Sequence, residues 1–131
     1  TGHRQTFDQK GEQDSDWGIQ MKGPELFKVA VRALSNVTKK ALEKCCLAPD
    51  DIQLMVPHQA NLRIIQAVAD RLGFGMDKVY CNVQRFGNTS AASIPIALDE
   101  AVRTGKVHDN DIVVLNGCGG GLTWGASVVR W

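Results

Sequence analysis

A histidine, an asparagine and a run of glycines carry most of the chemistry this sequence has to offer. His58 comes directly after a short apolar run, 52–56, and Pro57. Asn88 sits in Gly87-Asn88-Thr89-Ser90, ahead of a helical pattern. Gly119-Gly120-Gly121 comes shortly after a second strand-like run, Asp111-Ile112-Val113-Val114-Leu115. Histidine serves as acid, base or hydrogen-bond donor. Asparagine donates without ever changing its charge. Glycine lets backbone N–H groups approach a substrate oxygen. Together they describe stabilisation of an oxyanion, and hence acyl or enolate chemistry. Each also has a plainer reading. A histidine after a strand is often a satisfied structural residue. A Gly-Asn pair before a helix is often a turn and cap. A glycine triplet is often a tight turn.

The elements around these residues decide whether they meet. Pro24 suits the first turn of a helix, and the pattern from Glu25 to about Cys46 is helical. Leu26, Ala30, Ala33, Leu34, Val37, Ala41 and Leu42 recur at three- and four-residue steps. The segment 47–51 reads as a turn that opens a short helical turn. Ile52 to Val56 is too short for a helix and predicts a buried strand of the parallel-sheet kind. Asn61 to Leu72 predicts a second helix, with Leu62, Ile65, Val68, Ala69 and Leu72 on one face and Gly73 as its stop. Lys78 to Val83 predicts another strand. Ala91 to Thr104 predicts a third helix with an irregular first turn at Pro95 and Gly105 as its end. Asp111 to Leu115 and Leu122 to Trp131 predict two final strands. Strands alternating with helices make the fold α/β. In open sheets of that class, sites gather at the carboxyl ends of strands. His58, Asn88 and the glycines all fall there.

Composition excludes several classes. The chain has 131 residues, 44% hydrophobic and 22% charged, with a net charge of +1. That balance argues for neither a nucleic-acid partner nor a membrane surface. No apolar run approaches the roughly 20 residues of a membrane span. Residues 1–22 are polar and read as an irregular lead-in or loop before a domain at 23–131. Thr1-Gly2-His3-Arg4-Gln5 has neither an apolar signal core nor an initiator Met, so a cytoplasmic chain that is part of a longer protein is expected. The cysteines at 45, 46, 81 and 118 lack metal-ligand spacing. They read as free thiols of a reducing compartment, with no zinc site.

His58-Gln59-Ala60-Asn61-Leu62-Arg63, Gly87-Asn88-Thr89-Ser90-Ala91-Ala92-Ser93 and Gly119-Gly120-Gly121-Leu122-Thr123-Trp124-Gly125 closely resemble the C-terminal half of β-ketoacyl-acyl carrier protein synthase III. That is the thiolase-fold condensing enzyme that starts bacterial fatty acid synthesis, with a layered α-β-α-β-α fold. The resemblance spans about residues 23–131. It implies a Cys-His-Asn triad in which His58 and Asn88 are the histidine and asparagine. It implies Gly120 as one backbone donor of the oxyanion hole. It implies a carrier-protein contact from Gln59 through Ala60, Asn61 and Leu62 to Arg63, joined by Lys28. Gly23, Glu25, Phe27 and Lys28 match a segment that borders the phosphopantetheine tunnel, so Gly23 and Phe27 are tunnel residues by resemblance.

The implied reaction joins acyl-CoA to malonyl-acyl carrier protein by decarboxylative condensation, with no metal or organic cofactor. The implied partners are acyl carrier protein, acyl-CoA, a second copy in a homodimer, and an N-terminal half that carries the nucleophilic cysteine. None of the four cysteines here lies in that cysteine's motif. Cys118 is expected to line the pocket, where many relatives carry a bulky apolar residue. Asp70 and Arg71 stand where some relatives have lysines, which weakens the positive face of that helix. Two other readings compete: a related condensing enzyme of quinolone or polyketide synthesis, and a non-catalytic subunit that binds a carrier protein.

Overall fold

The structure is a computed structural model that describes residues 23–131. The expected lead-in, 1–22, lies outside the described residues. Helix α1 spans Gly23–Lys44, with Pro24 in its first turn. A short 3-10 turn, Pro49–Asp51, leads to strand β1, Leu54–Pro57. Helix α2 spans Leu62–Leu72. A 3-10 turn at Met76–Lys78 precedes the short helix α3, Val83–Phe86. Helix α4 spans Ser93–Arg103, entered through a 3-10 turn at Ser90–Ala92. Strands β2, Ile112–Gly119, and β3, Thr123–Arg130, complete the chain.

The sheet order is β1-β2-β3. β1 runs parallel to β2 with Pro57 opposite Asn116, and β2 pairs antiparallel with β3. Both faces of β1 and β2 are covered, which explains their continuous apolar runs. Successive side chains point to opposite faces. Met55, Ile112 and Val114 therefore join Leu34, Leu42, Ile65, Val68 and Leu72 beneath α1 and α2. Leu54, Val56 and Val113 join Ala97 and Ala101 of α4 on the other side. Burying such a side chain contributes roughly 1.5–3 kcal/mol, against about 1 kcal/mol net for one hydrogen bond. The two clusters, more than the short ladder, fix β1 in the layer.

The helix ends follow local chemistry. Asn61 caps α2, its side chain accepting from Arg63 N at 2.8 Å. Gly73 ends that helix at φ 78°, and its N–H reaches the Ala69 and Asp70 carbonyls.

One predicted element is corrected. Residues 78–83 do not form a strand. Val79 makes a single parallel bridge to Met55, and Tyr80 N donates to Met55 O at 2.9 Å. The ladder stops there because a side chain takes over the next backbone groups. Gln59 Nε2 donates to Tyr80 O at 3.0 Å, and Gln59 Oε1 accepts from Asn82 N at 2.9 Å and Val83 N at 3.1 Å. With those groups satisfied, the chain turns into α3.

Candidate active site

Parallel pairing brings the carboxyl ends of β1 and β2 side by side. His58 is the first residue past β1, and its N–H donates to Asn116 O at 2.7 Å. Its neighbour across the gap is Gly117. A Cβ there would lie 3.2 Å from Ile94 Cδ1 and 3.4 Å from His58 Cβ, so even a methyl group would press on the isoleucine and rest against the histidine. Asn88 arrives from the opposite side. Gly87 adopts φ 66° and ψ −159°, a conformation suited to glycine. Asn88 Oδ1 then accepts from Ser90 N at 2.9 Å. That bond fixes the amide and leaves its NH2 group as the outward donor, with no acceptor among the described residues. Gly120 lies past the end of β2, exposed, with space around its α-carbon.

These residues line one cavity of about 700 Å³. His58, Asn88 and Gly120 face it together with Leu26, Ala30, Ile94, Cys118 and Trp124. The lining is mostly apolar, with a few polar groups, as small-molecule sites are. His58 is half-buried, and loss of water pushes its pKa below the usual histidine value. The ring is therefore neutral near pH 7, one nitrogen carrying a proton to donate and the other unprotonated. Cys118 lines the cavity as expected. Burial raises its thiol pKa, which disfavours the thiolate a nucleophile needs.

The remaining expected residues divide. Arg63 and Leu62 are exposed on the first turn of α2, and Lys28 is exposed on α1. The Arg63 guanidinium lies 5.9 Å over the Phe27 ring, joining the starts of the two helices. Phe27 is not among the residues that line the cavity; Leu26 and Ala30 are the described α1 residues that do. Ala60 is half-buried in the cavity wall, and Asn61 is occupied as a helix cap. Gln59 is a correction. The resemblance placed it on an outward docking surface, yet it is 1% exposed. All four of its amide positions are spent on backbone groups of Pro57, Tyr80, Asn82 and Val83. A buried, saturated amide has nothing to offer a docking protein.

Sequence reasoning did not anticipate Leu26, Ile94 or Trp124 in the cavity, nor the buried Gln59. Trp124 is 51% exposed at the mouth, and Leu122 beside it is 44% exposed. The available signal was a Trp three residues past the glycines, on a strand that must turn back beside β2. No cluster of metal-ligating side chains occurs among the described residues, and no described helix is long and apolar enough to cross a membrane.

The family model for 3-Oxoacyl-[acyl-carrier-protein (ACP)] synthase III C terminal matches residues 42–131. The chain belongs to this family. It is 58% identical over 113 residues to a β-ketoacyl-[acyl-carrier-protein] synthase III of Clostridioides difficile, covering 86% of this chain and 34% of that protein. It is 53% identical to the enzyme of the same name from Aquifex aeolicus, covering 86% of this chain and 37% of that protein. The crystal structure of 3-oxoacyl-[acyl-carrier-protein] synthase III from Aquifex aeolicus matches with a TM-score of 0.86 at 52% identity, over 90% of this chain and 38% of that one. The chain thus spans about a third of the length of the curated relatives it matches. Its α/β layers are those of the C-terminal half of the synthase III fold.

Proposed function

We propose that this chain supplies the decarboxylating half of a β-ketoacyl-acyl carrier protein synthase III. The observation that carries the reading is the meeting of His58, Asn88 and Gly120 on one largely apolar cavity. In the reaction, an N-terminal half provides a cysteine that accepts an acyl group from acyl-CoA, and CoA leaves. The N–H groups of that cysteine and of Gly120 hold the tetrahedral oxyanion. Malonyl-acyl carrier protein then enters. The bond between its α-carbon and its carboxylate breaks, carbon dioxide leaves, and the electron pair moves onto the thioester oxygen as an enolate. His58 and Asn88 donate to that oxygen. The enolate carbon attacks the acyl-cysteine carbonyl, and the cysteine departs as thiolate with the β-ketoacyl product formed.

The step needs donors rather than bases, since carbon dioxide and not a proton is lost. A neutral His58 and an Asn88 held by its own Oδ1 suit that demand. Arg63 and Lys28, exposed near the starts of α2 and α1, supply positive charge for an acidic carrier protein. Assembly as a homodimer in the cytoplasm belongs to the same reading, as does the lack of any need for a metal or organic cofactor.

The test uses the complete enzyme, with both halves, and release of labelled carbon dioxide from malonyl-acyl carrier protein. His58→Ala and Asn88→Ala each lower that release by on the order of 10²–10³-fold, while the acyl-enzyme still forms from acyl-CoA. Unchanged release in either variant overturns the roles assigned.

A further inference from the structure

We infer that Gln59 is a positioning residue: it sets the relative placement of His58 and Asn88, with Glu100 bracing the far side. The inference rests on the decarboxylating role proposed above. Gln59 follows His58 directly. Its Nε2 donates to Pro57 O at 2.9 Å and to Tyr80 O at 3.0 Å. Its Oε1 accepts from Asn82 N at 2.9 Å and Val83 N at 3.1 Å. A glutamine amide has two donor hydrogens and two acceptor lone pairs, and all are used.

The geometry makes this a coupling rather than a local turn. One side of the amide grips the residue before His58. The other grips the first residues of α3, whose last residue, Phe86, is followed by Gly87 and Asn88. The Met55–Val79 bridge ends just before this point, so the side chain continues the strand pairing where the ladder stops. From the opposite side, Asn82 Nδ2 donates to Glu100 Oε2 at 2.9 Å, and Arg85 pairs with Glu100 Oε1. The segment that leads to Asn88 is thus held between β1 and α4. Misfit is costly here, because the amide itself is buried and its bonds to Pro57 O and Asn82 N are shielded from water.

Gln59→Glu in the complete enzyme tests the inference. An ionised carboxylate keeps the acceptor toward Asn82 and Val83 but repels the Pro57 and Tyr80 carbonyls. Above neutral pH, kcat for malonyl decarboxylation falls by on the order of 10²-fold, with little change in KM and with acyl transfer from acyl-CoA preserved. As pH falls and the carboxyl takes up a proton, its O–H donates again and decarboxylation recovers. Equal losses in both half-reactions, or decarboxylation at the wild-type rate, overturn the inference. Should Gln59→Glu not fold, Glu100→Ala on the more exposed side is predicted to give a smaller, decarboxylation-selective loss; a loss shared by both half-reactions counts against the coupling. Amide exchange in the unmodified chain provides an arm independent of activity. Asn82 and Val83 N–H groups are protected if the clamp exists, and fast exchange there removes it whatever the enzyme does. A wild-type enzyme that fails to decarboxylate malonyl-acyl carrier protein refutes the proposed function instead.

Discussion

The backbone N–H of His58 donates to the carbonyl of Asn116 at 2.7 Å. This bond extends the parallel β1–β2 register one residue beyond the strand and seats the histidine against Gly117. A methyl group at Gly117 would press on Ile94 Cδ1 at 3.2 Å and touch His58 Cβ at 3.4 Å. Gly117→Ala is therefore expected to destabilise the fold by roughly 1–3 kcal/mol through overpacking. It is also expected to shift the ring, so decarboxylation falls more than acyl transfer. Thermal unfolding and the two half-reactions, measured on the same preparation, check both parts.

Burial lowers the pKa of His58. A depressed pKa means that the folded state resists protonation more than the unfolded chain does, whose histidines titrate near about 6.5. The associated stability is complete above that value and is lost as pH falls through the folded pKa. The His58 ring is thus expected to titrate below about 6.5 in a proton NMR titration of the folded protein. A midpoint at or above the unfolded value contradicts the desolvation argument.

Thr38 and Asn116 form a buried polar pair beneath the site, with Asn116 Nδ2 donating to Thr38 Oγ1 at 2.9 Å. Asn116 Oδ1 already lacks a partner. Thr38→Val removes the acceptor and leaves the amide further unsatisfied, at a cost of about 1–3 kcal/mol. Denaturant unfolding measures that loss, and an unchanged midpoint would show that the pair contributes nothing.

Asn61 is exposed, and the hydrogen bond its side chain makes among the described residues is the cap, accepting from Arg63 N. Asn61→Ala should cost about 1 kcal/mol and fray the first turn of α2, where Leu62 and Arg63 sit. Affinity for a carrier protein is then expected to weaken with little change in decarboxylation of a small malonyl thioester. Kinetics with the two substrates separate these effects.

Much of this was legible in the chain. The apolar steps from Leu26 to Leu42 and from Leu62 to Leu72 set two helices, and Asn61 and Gly73 marked the ends of the second. The run through Leu54, Met55 and Val56 marked a strand covered on both faces. Strand ends then pointed to His58 and the glycines, whereas Asn88 was placed there by a strand at 78–83 that does not form. What failed was the segment 78–83, whose Val79, Tyr80 and Val83 suit a strand. Its backbone groups are taken by Gln59, a partner 23 residues from Asn82, and no local pattern reports so distant a side chain. The same cause hid Gln59. A polar residue beside a site histidine reads as surface, whereas here tertiary packing buries it and satisfies each polar atom.

Donation by the Asn88 amide is the most exposed point of the account, and Asn88→Asp in the complete enzyme tests it most directly. The substitution keeps the shape and the acceptor that holds Ser90 N–H, and exchanges the NH2 donor for a negatively charged carboxylate oxygen that cannot donate to an enolate. Release of carbon dioxide from malonyl-acyl carrier protein is predicted to fall by on the order of 10²–10³-fold while the acyl-cysteine still forms. Release at the wild-type rate would show that Asn88 does not donate to the enolate.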